Sequence, residues 1–152
     1  KRESFVINKT VNDTIDLLEI SADQKDIAIQ LSSEKPFTVN ADKQLVATII
    51  RNFISNAIKF SNEGDTVAIS LSSDEQQWQL SVKDQGVGMS EATQQKLFDD
   101  EDHPSQHGTN NEKGSGIGLR LCKKLANMHD GHIEVESEPD EGSTFTLVMP
   151  RA

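Results

Sequence analysis

The sequence predicts an α+β fold, a two-layer sandwich with helices on one face of a mixed, mostly antiparallel sheet. Segments that alternate apolar and polar residues predict half-buried strands, and longer segments with apolar residues every three or four positions predict helices. The chain has 152 residues, of which 34% are hydrophobic, enough to bury a substantial core. We therefore expect residues 1–152 to form one compact domain.

Four elements are predicted in the first forty residues. Residues 4–8 and 27–31 have the pattern of short strands, and residues 36–39 form a short extended segment. Between the two strands, apolar side chains at positions 11, 15, 17, 18 and 20 roughly follow helical spacing. They predict a helix over residues 11–20.

The middle of the chain is predicted to contain the longest helix and a hairpin. Asp42 is a suitable N-cap for a helix that runs to about Phe60, because a short acceptor side chain binds the free amide groups of a first helical turn. The polar residues 61–65 predict a turn. Residues 66–72 and 78–83 alternate strongly and predict two strands, joined as a hairpin by the polar residues between them.

Toward the C-terminus, Ser90 is predicted to cap a helix over residues 91–98. Residues 99–113 are almost free of apolar side chains and predict a long loop of the kind that is functional or disordered. The last predicted elements are a helix over residues 116–128, ended by Gly131, and strands over residues 132–138 and 143–149.

The composition disfavours several partners and locations. The formal net charge of −10 and the pI of about 4.8 disfavour a nucleic-acid or anionic-membrane surface. No apolar run approaches the roughly 20 residues that span a bilayer. Cys122 is the single cysteine, so no internal disulfide can form. The sequence does not begin with Met, and we expect it to be part of a longer protein.

The predicted helix over residues 42–60 carries a polar stripe. Asn52, Asn56 and Lys59 are spaced i, i+4 and i+7 along the border of the apolar face. Asparagine is a poor residue for a helix interior, because its side chain competes for backbone hydrogen bonds. The stripe is either a set of tolerated boundary residues or a site where an amide oxygen ligates Mg²⁺ and the ammonium group neutralises phosphate. The apolar face consists of Val46, Ile49, Ile50, Phe53, Ala57 and Phe60.

The first glycine cluster, Asp84-Gln85-Gly86-Val87-Gly88, directly follows a predicted strand. A short carboxylate there can accept a hydrogen bond from an exocyclic amine such as that of adenine, and the glycines let a flat ring approach the backbone. A turn capped locally by Asp84 explains the same residues. The dinucleotide fingerprint is disfavoured, because no third glycine opens a helix at the required spacing.

The second glycine cluster, Gly114-Ser115-Gly116-Ile117-Gly118-Leu119, ends the predicted loop and opens a helix. Backbone amide groups at a helix N-terminus can bind phosphate, and Lys113 adds a positive charge just before them. A flexible hinge explains the same glycines, and the two roles are compatible in a lid. The Gly-Lys-Ser/Thr ending of a Walker A loop is absent.

Together these motifs resemble the ATP-binding domain of bacterial sensor histidine kinases. These belong to the superfamily of gyrase, heat-shock chaperone, histidine kinase and mismatch-repair ATPases, which has the Bergerat fold. Residues 51–60 resemble the family's N box, and residues 84–88 and 114–119 resemble its two glycine boxes. Gly142-Ser143-Thr144-Phe145, followed by Met149-Pro150, resembles its closing strand. The similarity covers nearly the whole chain, and four motifs at family spacing are highly specific.

The resemblance implies a site for ATP and Mg²⁺. Asn56 would ligate Mg²⁺, Lys59 would contact phosphate with Asn52 nearby, and Asp84 would accept from the adenine amine. Ser143 would lie behind the adenine, and residues 99–113 would be the ATP lid. The other implied nucleotide contacts are Phe60, Gly86, Gly88, Met89, Lys113, Gly114, Gly116, Ile117, Gly118 and Leu119.

Asn52 distinguishes between branches of the family. ATP-hydrolysing relatives carry a glutamate at this place as the general base for water, and an asparagine cannot take a proton. A histidine acceptor is already a competent nucleophile and needs less help from a base. Asn52 therefore favours a histidine kinase over a gyrase-like ATPase or a serine-directed kinase, and no catalytic residue is assigned within this domain.

The sequence departs from the family pattern in two respects. A second aromatic and a basic residue are common at the start of the lid, where this chain has Asp99, Asp100, Glu101 and Asp102. A helical hairpin with a phosphoacceptor histidine is not found either. The four histidines are interpreted as solvated residues or, for the one near a helix end, as a C-cap: His103, His107, His129 and His132.

We therefore predict a histidine protein kinase domain that binds Mg·ATP and donates the γ-phosphoryl group to a histidine on a separate dimerisation hairpin, in two-component signal transduction. The implied partners are ATP or ADP, the parent protein's own hairpin and a response regulator, without nucleic acid. The isolated domain is expected to be monomeric and cytoplasmic, within a parent protein that can be anchored in the inner membrane. Two alternatives stay open: a degenerate nucleotide-binding signalling module without phosphotransfer, which the acidic lid favours, and a gyrase-like ATPase.

Overall fold

The computed structural model of the chain describes residues 1–33, 35–88, 90, 92 and 116–151. The elements along the chain are β1 (Glu3–Val6), α1 (Ile7–Gln24), β2 (Ala28–Ser33), β3 (Thr38–Ala41), α2 (Lys43–Phe60), β4 (Thr66–Ser73), β5 (Gln77–Lys83), α3 (Gly116–Met128), β6 (His132–Glu138) and β7 (Gly142–Pro150). Apart from Ala92, the predicted helix over residues 91–98 and the predicted loop over residues 99–113 lie outside the described residues.

The strands form two sheets. The main sheet has five strands in the order β2-β4-β5-β7-β6. β2 pairs with β4 in parallel, and the other neighbours pair antiparallel. β1 and β3 form a separate two-stranded antiparallel sheet. The predicted mixed, mostly antiparallel sheet and the predicted hairpin of β4 and β5 are confirmed.

The helices cover one face of the main sheet. α2 packs against β4, β5 and β7, α3 packs against β6 and α2, and α1 packs against α2. Phe53 of α2 meets Phe145 of β7 with ring centroids 5.6 Å apart. Every second residue of the central strands is buried toward the helices, as the period of two requires: Val67, Ile69, Leu71, Trp78, Leu80, Val82, Phe145, Leu147 and Met149. The two-layer α+β sandwich is therefore confirmed.

α2 has the predicted start and end. Asp42 is its N-cap, and Oδ1 accepts from the backbone N–H groups of Gln44 at 3.1 Å and Leu45 at 3.2 Å. The buried face is wider than predicted, because it also contains Ile54 and Ile58. α2 is covered by α1 and α3 as well as by the sheet, so more than one stripe of its surface is apolar.

α1 is longer than the predicted helix and starts directly after β1. Asn8, which was expected to end a strand, lies in its first turn. Two apolar residues of the predicted pattern, Leu17 and Ile20, are each 72% exposed, whereas Thr10 and Thr14 are buried. The spacing of apolar residues therefore predicted only the middle of this helix, because some buried positions are polar and some exposed positions are apolar.

The connection after α3 differs in detail from the prediction. α3 ends at Met128, but the residue with left-handed backbone geometry is Asp130, with φ of 60°, and not Gly131. Gly131 donates its N–H to the carbonyl of Ala126 at 2.9 Å, as the second residue past the C-cap, here His129, does in a Schellman motif. Of the helices that the structure describes, none is long and apolar enough to cross a membrane.

Candidate nucleotide-binding site

The polar stripe of α2 lies at the border of the core, as the helical spacing predicts. Asn52, Asn56 and Lys59 are half-buried, whereas Arg51 beside them is exposed. The Nδ2 group of Asn52 donates to the carbonyl of Thr48 at 2.8 Å, which leaves its amide oxygen for another partner. The side chain of Asn56 makes no hydrogen bond within the described part of the chain. The border of α2 therefore presents two amide oxygens that are suitable as metal ligands. The nearer one, on Asn56, lies about one turn before the ammonium group of Lys59.

Asp84 lies just past the end of β5 and is 2% exposed. Its Oδ1 accepts two backbone hydrogen bonds, from the N–H of Gly86 at 2.9 Å and from the N–H of Ser143 at 3.2 Å. Its own backbone N–H donates to the carbonyl of Ser143 at 2.9 Å. These bonds orient the carboxylate, and among the described residues no donor reaches Oδ2. One oxygen of a fixed, buried carboxylate is thus left to accept from a ligand.

The carboxylate of Asp84 is difficult to ionise. Burial raises its pKa to about 6, and the nearby charge of Asp65 adds to this shift, while the bonds from Gly86 and Ser143 oppose it. At neutral pH the group is still mainly ionised and acts as an acceptor. A buried titratable group with a strongly shifted pKa is typical of functional sites.

Gly86 and Val87 connect the first glycine cluster to the end of α2. The N–H of Val87 donates to the carbonyl of Phe60 at 3.2 Å. A Cβ atom on Gly86 would collide with that same carbonyl and would lie 3.0 Å from the Cα of Ser61. Only glycine fits there, and the loop that carries Asp84 rests directly on the helix that carries the asparagine stripe.

The other side of this loop packs against the turn between β6 and β7. Gly88 has φ of 66°, and a Cβ atom on it would collide with the carbonyl of Glu138. Gly142 has φ of 88°, and a Cβ atom on it would collide with the carbonyl of Asp84. The N–H of Asp140 donates to the carbonyl of Val87 at 2.7 Å. The close backbone approach that these glycines permit is therefore to the protein's own strands.

Ser143 lies beside Asp84 and is 6% exposed. Its hydroxyl is 2.7 Å from the hydroxyl of Ser137, which also donates to the carbonyl of Gly142 at 3.0 Å. Ser137 supports the site from the end of β6, but nothing in the sequence distinguishes it from other strand serines. A pair of hydroxyl groups thus stands next to the carboxylate.

The second glycine cluster is described from its third residue onward. Residues 116–118 form the first turn of α3, and Leu119 is buried. α3 packs against α2, so the helix start that the sequence predicts belongs to the same layer as the asparagine stripe. The remaining predicted contacts and the acidic segment lie outside the described residues: Met89, Lys113, Gly114 and residues 99–102.

His129 links α3 to the start of α2. Its Nε2 accepts from the backbone N–H of Asp42 at 3.2 Å, so Nδ1 carries the proton and donates to the carbonyl of Leu125 at 2.9 Å. His132 is exposed and pairs with Glu134 at 2.9 Å. His129 lies at the end of α3, in agreement with the interpretation as a C-cap, and the exposure of His132 agrees with the interpretation as a solvated residue. His103 and His107 lie outside the described residues.

The described residues also bear on thiol chemistry and on metal binding by acidic, histidine or cysteine side chains. Cys122 is buried, and burial raises the pKa of its thiol to about 12, so it is not a reactive nucleophile. Within residues 1–33, 35–88, 90, 92 and 116–151, no three His, Cys, Asp or Glu side chains are grouped so as to hold a metal ion.

Known proteins resemble this chain in sequence. The profile of the family described as "Histidine kinase-, DNA gyrase B-, and HSP90-like ATPase" matches residues 41–152. The adaptive-response sensory kinase SasA of Prochlorococcus marinus is 44% identical over 114 residues, 74% of this chain and 29% of the relative. The sensor-like histidine kinase SenX3 of Mycobacterium tuberculosis is 33% identical over 144 residues, 95% of this chain and 35% of the relative. The chain thus spans about a third of the length of these relatives.

Solved structures share the fold. The catalytic domain of histidine kinase ThkA superposes with a TM-score of 0.85 at 22% identity, over 99% of this chain and 98% of that chain. Full-length ShkA in complex with AMPPNP superposes with a TM-score of 0.83 at 24% identity, over 100% of this chain and 31% of that chain. At these identities the likeness concerns the fold alone, which is that of histidine kinase catalytic domains.

Proposed function

Because the chain belongs to the family of histidine kinase-, DNA gyrase B- and HSP90-like ATPases, we propose that it is the catalytic domain of a sensor histidine kinase. It binds Mg·ATP beside α2 and the Asp84 loop, and it donates the γ-phosphoryl group to a histidine on a dimerisation hairpin elsewhere in the parent protein. The observation that carries the proposal is the buried carboxylate of Asp84, because its two backbone hydrogen bonds engage only Oδ1, and a buried Oδ2 is best stabilised by a donor from a ligand.

Asp84 selects the base. With Oδ1 engaged by two backbone N–H groups, Oδ2 accepts a hydrogen bond from the exocyclic amine of adenine. Guanine has a carbonyl at the same place, and two acceptors facing each other in a buried site cost on the order of 1–3 kcal/mol. Ser143 lies on the same side and completes the polar edge of the base pocket.

Asn56, Asn52 and Lys59 suit the phosphate end of the ligand. Mg²⁺ prefers oxygen ligands and is often held by one or two protein groups together with substrate phosphates. The amide oxygens of α2 fit this mode better than a dedicated acidic cage, which the described residues do not provide. Asn56 would hold the ion, which when bound neutralises phosphate charge. Lys59 contributes the ammonium group that contacts phosphate.

Phosphotransfer requires a nucleophile from outside this domain. The γ-phosphorus–oxygen bond of ATP breaks, a bond to the histidine nitrogen forms, ADP leaves, and the imidazole releases its proton. The protein contributes mainly positioning and charge stabilisation. Asn52 cannot act as a general base for water, which disfavours a gyrase-like ATPase. The names of SasA and SenX3 as kinases and the complex of ThkA with response regulator protein TrrA support a hairpin and a response regulator as partners.

Nucleotide selectivity tests the assignment. We expect calorimetry to detect binding of Mg·ATP and Mg·ADP to the isolated domain and to detect much weaker binding of Mg·GTP. Equal affinities for ATP and GTP would contradict the role of Asp84 at the adenine. A degenerate module would bind ATP with the same selectivity and would differ only in failing to phosphorylate a supplied hairpin.

A further inference from the structure

We infer that Lys25 is a positioning residue for the phosphate end of the nucleotide site and acts through the last turn of α2. The inference rests on the proposed function. Lys25 is 3% exposed, although lysine is among the residues that are least often fully buried. It lies between α1 and β2, outside every motif of the sequence, and 34 positions before Lys59.

The ammonium group of Lys25 binds the C-terminal end of α2. Its Nζ donates to the carbonyl of Ile58 at 3.0 Å and to the carbonyl of Lys59 at 2.8 Å. The last four carbonyls of an α-helix have no partner within the helix, and partial negative charge accumulates there. A buried cation that binds two of these carbonyls both satisfies them and opposes that charge.

The other two carbonyls of the last turn are also bound. The carbonyl of Ala57 accepts from the N–H of Ser61 at 3.1 Å and from its hydroxyl at 2.6 Å. The carbonyl of Phe60 accepts from Val87 of the Asp84 loop. All four carbonyls are therefore engaged, and Lys25 supplies the bonds for the two that lie between the asparagine stripe and the loop.

Lys59 lies in this turn. Its Nζ is 4.4 Å from the centroid of the Phe60 ring, so the turn that Lys25 holds carries both the backbone of Lys59 and one contact of its ammonium group. Without Lys25, the carbonyls of residues 58 and 59 lose these two bonds, and the turn can unwind from its C-terminal end. Asp84 is held instead by its own loop and by β7. The loss should therefore affect the phosphates and spare the base.

A double-mutant cycle tests the inference, with Lys25→Met, Lys59→Met and the double variant titrated with Mg·ATP and with adenosine. We expect each single variant to bind ATP about tenfold more weakly, the size of one charge-assisted contact, and the double variant to bind no more weakly than Lys59→Met. Adenosine affinity should stay within about twofold of that of the native domain. Val39→Ala, a buried change in β3, is the control for lost stability and should bind ATP normally.

Three outcomes would overturn the inference: native ATP affinity in Lys25→Met, additive losses in the double variant, or an equal loss of adenosine affinity. If Lys25→Met does not fold, Lys25→Gln enters the same cycle, since it keeps two N–H donors without the charge. If Lys59→Met binds ATP normally, the phosphate role of Lys59 in the proposed function fails together with the inference. If only Lys25→Met binds normally, the inference fails and the proposed function stands.

Discussion

At the scale of one residue, the burial of the Asp84 carboxylate opposes folding. Its pKa rises from an ordinary 3.8 to about 6, mainly because the group is buried. Between these two values the folded protein binds more protons than the unfolded chain. The free energy of unfolding therefore falls as the pH rises through this window, and above it the native domain carries the full penalty of the buried charge.

Replacing Asp84 by asparagine should separate stability from binding. We expect Asp84→Asn to be more stable than the native domain by on the order of 2 kcal/mol above about pH 7, and the difference to vanish toward about pH 4. ATP binding should be lost, because the amide oxygen would receive the bonds from Gly86 and Ser143 and the amide nitrogen would face the adenine amine. Urea denaturation at several pH values and calorimetry measure both effects. Equal stability at every pH would contradict the penalty assigned to the charge.

The close contact of Gly86 can be tested by an alanine substitution, with the same substitution at Gly64 as the control. In Gly86→Ala the added methyl group would collide with the carbonyl of Phe60 and move the Asp84 loop away from α2. We therefore expect the free energy of unfolding to fall by about 1–3 kcal/mol and ATP binding to weaken. Gly64 has φ of 87° but no atom within 4 Å of an added Cβ. Gly64→Ala should cost about 1 kcal/mol through backbone strain and leave ATP binding unchanged. Similar ATP affinities in both variants would count against the contact.

Single residues differ in how well the sequence predicts them. Asn52, Asn56 and Lys59 lie at the border of α2 as predicted, because the helical period alone places them there. Lys25 and Ser137 were not predicted. The bonds of Ser137 to Gly142 and Ser143 depend on the register of β6 and β7, and those of Lys25 depend on where distant segments meet. The Nζ of Lys25 binds a carbonyl 33 positions further along the chain, and no local pattern encodes such a contact.

At the scale of the element, one face of α2 packs in the core and another carries the residues proposed to bind the ligand. Its buried face tolerates little change, but Asn56 is only half-buried and makes no bond to the residues described. Its neighbour Ser55 is exposed and lies about 100° around the helix. The two positions therefore form a matched pair for testing the metal role.

We expect Asn56→Ala to abolish productive binding of Mg·ATP while its unfolding free energy stays within about 0.5 kcal/mol of the native value. Ser55→Ala should change neither quantity by more than that. Calorimetric titration of ATP with and without Mg²⁺ separates the ligand role from a packing role. Full phosphotransfer by Asn56→Ala to a supplied hairpin would show that the metal assignment is wrong.

The elements themselves were predicted unevenly. α2, α3 and the hairpin of β4 and β5 agree with the sequence, because a strong period and clear turn or capping residues mark them. The predicted helix was shorter than α1, because the buried face of α1 contains Thr10 and Thr14 and because Leu17 and Ile20 face outward. Periodicity reports the apolar residues of a helix, so it misjudges helices whose buried face is partly polar.

At the scale of the whole molecule, alternation predicted the kind of sheet and not its order. The pattern of each strand specifies which face is buried, and this sufficed for a sandwich. It does not specify the partner, and β2 pairs in parallel with β4 while β3 pairs with β1 instead. The strand that each strand pairs with depends on how the chain folds back after α2, and the residues of one strand alone do not specify this.

The whole domain is expected to be inactive on its own. It has no assigned acceptor histidine, and Asn52 cannot act as a base, so Mg·ATP alone should produce neither self-labelling nor more than slow background hydrolysis. A dimerisation hairpin from the same parent protein should become labelled on histidine when it is added. Radiolabelled ATP measures both. Acid-stable self-labelling, or hydrolysis near roughly 1 s⁻¹, would indicate a different acceptor or an unrecognised base.

β6 has a consequence for behaviour at high concentration. It lies at one edge of the main sheet, and its exposed positions include Glu134, Glu136 and Glu138. An open strand edge can template fibrils, but a second copy aligned antiparallel on β6 would bring carboxylate against carboxylate. This repulsion should keep concentrated samples colloidally stable at neutral pH. The net charge of the domain vanishes near the isoelectric pH of about 4.8, where light scattering should detect the onset of aggregation.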